Sequence, residues 1–94
     1  MTGEAMDPSV VIGELRRALE GAGGLPASDV DSIAVLINAG EWRLALETLC
    51  TQTYEYDVEV SEEQRALLGR LGRVLDVPTG YLLGDPWAPA PGEP

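Results

Sequence analysis

Residues 42–75 read WRLALETLCTQTYEYDVEVSEEQRALLGRLGRVL, and the change of period inside this stretch decides the fold. Trp42, Ala45, Leu46, Leu49 and Thr53 recur at i, i+3, i+4, i+7 and i+11, the spacing that gathers side chains on one face of a helix. From Tyr54 the period becomes two. Tyr54, Tyr56, Val58 and Val60 alternate with Glu55, Asp57, Glu59 and Ser61, which predicts an extended connection with its rings and valines on the helices and its carboxylates in water. Ser61-Glu62-Glu63-Gln64 then carries the capping-box pattern, with acids where the helix dipole favours them, and Leu67, Leu68, Leu71, Val74 and Leu75 return to helical spacing. No second strand-like run accompanies the acidic connection, so the expectation is an all-α fold.

Three residue types in this stretch need separate reasons. Gly69 and Gly72 each cost about 1 kcal/mol relative to Ala in a helix interior, so they are expected to let a neighbouring backbone approach closely. Cys50 lies four residues after Leu46 with no His or Lys near it in sequence to lower its pKa, and is read as a packed thiol. Trp42 opens the apolar stripe and is read as core.

Working upstream, Ser28 and Asp31 resemble a capping box, and Val30, Ile33, Ala34 and Ile37 form another helical stripe that Gly40 stops. Val35 and Leu36 lie off that stripe, which predicts a helix sandwiched between others, and the short connection to Trp42 predicts an antiparallel helix pair. The first helix is signalled by Asp7-Pro8, a capping carboxylate before a proline suited to the first helical position. Val11, Leu15, Ala18 and Ala22, widened by Ile12 and Leu19, form its buried face, while Glu14, Arg16, Arg17 and Glu20 are read as its exposed charged side. Gly21, Gly23 and Gly24 end it.

Working downstream, Pro78 ends the Leu67–Leu75 helix and starts a short one through Tyr81, Leu82 and Leu83, with Gly84 as its stop. The expectation is four main helices plus a short C-terminal one. The domain organisation follows as a leader over 1–7, a single helical domain over 8–84, and a proline-rich tail over 85–94 expected to be mobile. Trp87 stands among prolines with no stripe to join, and two readings stay open: packing back on the bundle, or exposure as an anchor for a partner.

Composition narrows the functional classes. The chain has 94 residues, 45% of them hydrophobic, enough for one small domain and one economical core. Histidine is absent and Cys50 is the single cysteine, which removes internal disulfides, thiolate zinc sites, Cys-His nucleophilic pairs and imidazole acid–base chemistry. The expectation is a protein that is not an enzyme, with no cofactor and no metal. The start MTGEAMDPSV has neither a basic leader nor an apolar signal core, and no apolar run approaches the ~20 residues of a spanning helix, so a cytoplasmic location is expected.

Charge is the most informative quantity. Sixteen carboxylates against six arginines give a net charge of −10, which opposes binding to nucleic acid or to an anionic membrane and attracts a basic partner. Residues 41–63 hold seven of the acids and one arginine, so −6 of the −10 lies there. Glu55, Asp57 and Glu59 follow the C-terminus of a helix, where anions oppose the dipole and gain nothing locally. An acidic surface that only confers solubility and a docking ridge for a cationic protein both fit this placement. Other uses of the carboxylates fail. A calcium loop beginning at Glu55 would need glycine at its sixth position, where Val60 stands; no phosphate cradle accompanies the acids for magnesium; and an exposed connection holds no glycosidase pair across a cleft.

At Gly40-Glu41-Trp42, Ala45-Leu46-Glu47, Leu49-Cys50 and Tyr54-Glu55-Tyr56-Asp57 the chain resembles the Maf-type (MafI family) immunity proteins of bacterial polymorphic toxin systems, over about Leu25 to Tyr81. The region around Gly69 and Gly72 and the proline-rich tail do not match that pattern. The resemblance implies a small cytoplasmic protein that binds and neutralises a cognate toxin, in that family often a nuclease, whose phosphate-binding surface tends to be basic. The expected partner-binding residues are Glu55, Asp57, Glu59, Glu62 and Glu63, with Glu41 close in sequence, and Tyr54 and Tyr56 supporting the ridge from beneath.

Two alternatives belong to other classes. Leu71 to Asp85, LGRVLDVPTGYLLGD, is similar to the closing segment of Cro/repressor-like helix-turn-helix regulators, although the upstream chain lacks the spaced Gln, Ala and Gly of a recognition unit. A non-catalytic scaffold that dimerises through exposed Tyr and Trp is the other. The oligomeric state is not fixed by the sequence.

Overall fold

The computed structural model describes residues 7–88. It contains α1 (Pro8–Glu20), α2 (Ala27–Asn38), α3 (Trp42–Glu55), α4 (Glu62–Leu75) and α5 (Thr79–Leu82), with no strand among the described residues. Residues 7–88 thus form an all-α globule of four longer helices and one single-turn helix, as the periodicity predicts. Residues 1–6 of the expected leader and 89–94 of the expected tail lie outside the described part.

α3 is the centre of the packing and touches each of the other four helices, while α1 packs on α2, α3 and α4. Leu15, Ile33, Ile37, Leu46, Leu49, Cys50, Leu68 and Leu71 are the largest fully buried side chains, and every one comes from a sequence stripe or from its edge. Trp42 is only partly buried against this core, with its indole N–H enclosed and without an acceptor among the described residues. The core proper is aliphatic.

Helix starts follow the sequence less closely than helix faces. Asp7 does stand at the N-cap of α1 with Pro8 behind it, but its carboxylate accepts from Ser9 Oγ at 2.6 Å instead of capping a backbone N–H. α2 begins one residue before Ser28: Pro26 holds the extended N-cap conformation and its carbonyl accepts from the Asp29 and Val30 amides, so the Ser28–Asp31 box does not form. Ser61 caps α4 as expected, accepting from the Gln64 amide at 3.0 Å. The Gln64 side chain does not complete the box. Its Nε2 reaches across to the Ala18 carbonyl at 2.7 Å, a buried bond that ties α4 to the end of α1.

Three further expectations are corrected. Glu14 is not on an exposed charged face: Arg70 Nε and Nη2 donate to its Oε1 at 3.2 and 2.9 Å, and its side chain is 15% exposed. Val35 is 64% exposed: α2 packs between α1 and α3, as expected, and Leu36 lies partly buried, but the face that carries Val35 is open to solvent. The extended acidic connection is shorter than its alternation suggests. α3 runs on through Tyr54 and Glu55, and the alternation survives only at half-buried Val58 and Val60 with exposed Glu59 between them.

The continuation of α3 has a local cause. Thr53 is buried and its Oγ1 donates to the Leu49 carbonyl at 2.7 Å, so the helical stripe is intact up to the residue before the period of two begins, and the helix runs two residues into that stretch. The helix then closes with Asp57 at φ 53, whose amide donates to Tyr54 O while the Val58 amide donates to Thr53 O at 2.9 Å, the paired bonds of a Schellman motif. α2 closes in the same way with Gly40 at φ 81, its amide on Ile37 O and the Glu41 amide on Leu36 O. α4 ends with Asp76 in the left-handed region at φ 59, two residues ahead of the proline expected to stop it.

Of the two glycines in α4, only Gly72 meets a neighbour. A Cβ there would stand 2.7 Å from the Val77 carbonyl oxygen and 2.9 Å from the Thr79 side chain, because the chain folds back on α4 after Asp76. At Gly69 the nearest atom would be an Arg73 nitrogen at 3.9 Å, so close backbone approach does not explain it.

Candidate binding surface

The α3–α4 junction carries five of the six carboxylates singled out in the sequence. Glu55 is the last residue of α3, Asp57 is its left-handed closing residue, Glu59 lies in the extended link, and Glu62 and Glu63 form the first turn of α4; all five are exposed. Glu41 does not join them. It is the N-cap of α3, and a helix of 14 residues places it about 20 Å from Glu55 along the axis.

Pairing separates these acids from the rest of the surface. Among the described residues the ion pairs are Arg17–Glu14 and Arg70–Glu14, so none of the five junction carboxylates, nor Glu41, has a cationic partner within 4.0 Å. Glu62 and Glu63 have a local reason to be acidic, since they sit where the α4 dipole is positive. Glu55 and Asp57 have the opposite: each stands at the negative end of α3, where an exposed carboxylate costs on the order of 0.3–1 kcal/mol at low ionic strength.

The tyrosines are placed differently from the expectation. They do not support the ridge from beneath: Tyr54 is 59% and Tyr56 50% exposed, because the helix carries Tyr54 past the core stripe and Tyr56 stands at the helix cap. The open question at Trp87 is resolved in favour of exposure, at 89%. Tyr81 is exposed as well, so four of the five aromatic residues face water and Trp42 alone packs on the core. The sequence signal that points this way is indirect: the helical stripes are filled by Leu, Ile, Val and Ala and leave few core positions for rings.

A concavity lies between α3, α4 and α5. It is an open groove of about 960 Å³ lined by Arg43, Arg65 and Arg73 together with Glu47, Asp76 and Asp85, so the charges on its walls balance and it presents no field of one sign. Arg43 Nη2 donates to the Asp76 carbonyl at 3.3 Å. No group of three His, Cys, Asp or Glu side chains able to hold a metal occurs among the described residues, and no helix there is long and apolar enough to cross a membrane. Cys50 is fully buried, and desolvation pushes its thiol up to about 12, so it stays protonated at neutral pH and is no nucleophile.

Comparison of the chain with family models, with curated proteins and with solved structures gave no match.

Proposed function

We propose that this chain is an immunity-type protein that acts in the cytoplasm by binding a cognate bacterial toxin and covering its basic active-site surface with the acidic surface at the α3–α4 junction. The toxin is a nuclease in this reading, since a surface that must hold phosphates tends to be basic. The observation that carries the reading is the set of exposed carboxylates Glu55, Asp57 and Glu59, placed at and just beyond a helix C-terminus that disfavours Glu55 and Asp57 there, with no cation within 4.0 Å among the described residues. Likeness of the Gly40–Asp57 motifs to Maf-type immunity proteins supports the same role.

Association would be steered by charge and inhibition would be steric, with no reaction performed by this chain. The absence of histidine and the buried, protonated state of Cys50 leave no ready nucleophile–base pair, which agrees with a non-catalytic role. The helix-turn-helix alternative matches only the closing segment Leu71–Asp85, and a net charge of −10 opposes contact with DNA. The test is coexpression with the toxin domain encoded beside this chain: rescue of growth and copurification are expected, and continued killing with no copurification would overturn the reading.

A further inference from the structure

Two of the exposed rings are held out by specific packing. Tyr54 lies against the backbone of Gly84, where any Cβ would collide with its ring, so the end of α3 is seated on the turn that closes α5. That turn has φ 85 at Gly84 and continues into residues 85–88. Asp85 donates its amide to Gly80 O at 2.9 Å, its Oδ1 accepts from the Trp87 amide at 2.9 Å, and its carbonyl accepts from the Ala88 amide at 3.2 Å. Ala88 in turn packs on Gly80, where a Cβ would stand 3.1 Å from the alanine methyl. The turn is thus pinned to α5 at both ends while its one large side chain, Trp87, is 89% exposed. Packing of α3 on α5 therefore brings the turn that presents Trp87 next to Tyr54, although the two residues are 33 positions apart, and Tyr56 follows at the cap of α3.

Exposed Tyr and Trp are the residue types that anchor protein interfaces, because each covers a large area with few torsions to freeze. The neighbouring charges define what they cover. The exposed rings Tyr54 and Tyr56 share the end of α3 with the exposed carboxylates of Glu55, Asp57 and Glu59, and such a mixed surface can receive a guanidinium twice over, the planar cation stacking on a ring while a carboxylate takes its N–H groups.

We infer that Tyr54, Tyr56 and Trp87 form the anchoring part of the partner interface, and that they select an arginine-bearing protein surface over an equally charged lysine-bearing one. The inference rests on the reading of the α3–α4 junction as a docking surface for a cationic protein, and it assigns that partner's chemistry. The carboxylates set how fast partners meet; the rings set how long they stay.

Fluorescein-labelled octa-arginine and octa-lysine peptides serve as probes, with binding to the full chain read by anisotropy at low and moderate salt. Octa-arginine is expected to bind about three-fold tighter or more at equal ionic strength, as one or two stacked guanidinium groups would give. Trp87→Leu and Tyr56→Leu, both at exposed positions, are expected to bring the ratio towards one, and Trp87→Tyr to keep most of it. The triple substitution Glu55→Gln, Asp57→Asn, Glu59→Gln is expected to weaken both peptides in similar proportion and to preserve the ratio. Equal binding of the two peptides, or a preference that Trp87→Leu and Tyr56→Leu leave intact, would overturn the aromatic assignment while leaving the acidic surface standing. Binding of neither peptide at low salt would remove both.

Discussion

Cys50 shows how a single side chain reports the state of the core. Its thiol is fully buried in the core and its pKa is raised from an ordinary 9.0 to about 12, because the thiolate would have to be buried without a partner. The sign of the consequence is fixed by linkage. Below pH 9 folded and unfolded chains both carry the protonated thiol and the full contribution is present; between 9 and about 12 only the unfolded chain ionises, so stability falls by up to about 1.4 kcal/mol per pH unit. Thermal unfolding followed at pH 7 to 11 is expected to show this decline, and Cys50→Ala, although less stable at pH 7, is expected to lose the part of it due to the thiol. A variant whose melting temperature falls in parallel with the parent at every pH would show that the thiol titrates alike in both states. The burial of Cys50 was legible from the sequence, as the residue lies beside Leu46 and Leu49 with no activating neighbour; the role of Glu14 was not, because its partner Arg70 is 56 residues away.

At the scale of the element, the sequence told the faces of helices better than their ends. Apolar stripes are set by a period that every turn repeats, so errors average out, whereas an end depends on one or two residues whose alternatives differ by about 1 kcal/mol. α3 is the clearest case. The alternation from Tyr54 to Val60 has the period of an extended strand, yet Thr53 remains buried in the helical stripe and Asp57 accepts the left-handed conformation, so the helix gains two further residues before closing. Gly40 announced its Schellman closure because glycine is the expected residue there; Asp57 and Asp76 did not, since aspartate is only one of several reasons for polarity in a loop. α4 supplies a direct contrast between two glycines of the same helix. Gly69→Ala fills open space and is expected to stabilise the protein by about 1 kcal/mol, whereas Gly72→Ala drives a methyl group into Val77 O and Thr79 and is expected to destabilise it by about 1–3 kcal/mol. Denaturant unfolding of the two variants measures both, and a loss of stability at Gly69 would show that α4 is packed against something at that position.

For the molecule as a whole, charge and fold are separable, and that separation makes the functional account testable. The core is aliphatic and contributed by all four longer helices, while the junction acids are exposed and unpaired among the described residues, so they can be neutralised without unfolding the protein. The composition of the candidate surface was half legible. Its carboxylates stand together in the sequence, but its rings become a surface only when α3 packs on α5, and Glu41, near in sequence, lies at the far end of α3. A field from 16 acids and six arginines steers cationic partners over distances set by the salt concentration, and three central charges carry a large share of it locally. Stopped-flow association of the neighbouring toxin domain with the chain and with its Glu55→Gln, Asp57→Asn, Glu59→Gln variant, across ionic strength, measures that share. The account predicts association slowed by about ten-fold at low salt, with the two rates converging as salt rises; rates that coincide at every ionic strength, for a variant that remains folded, would contradict it.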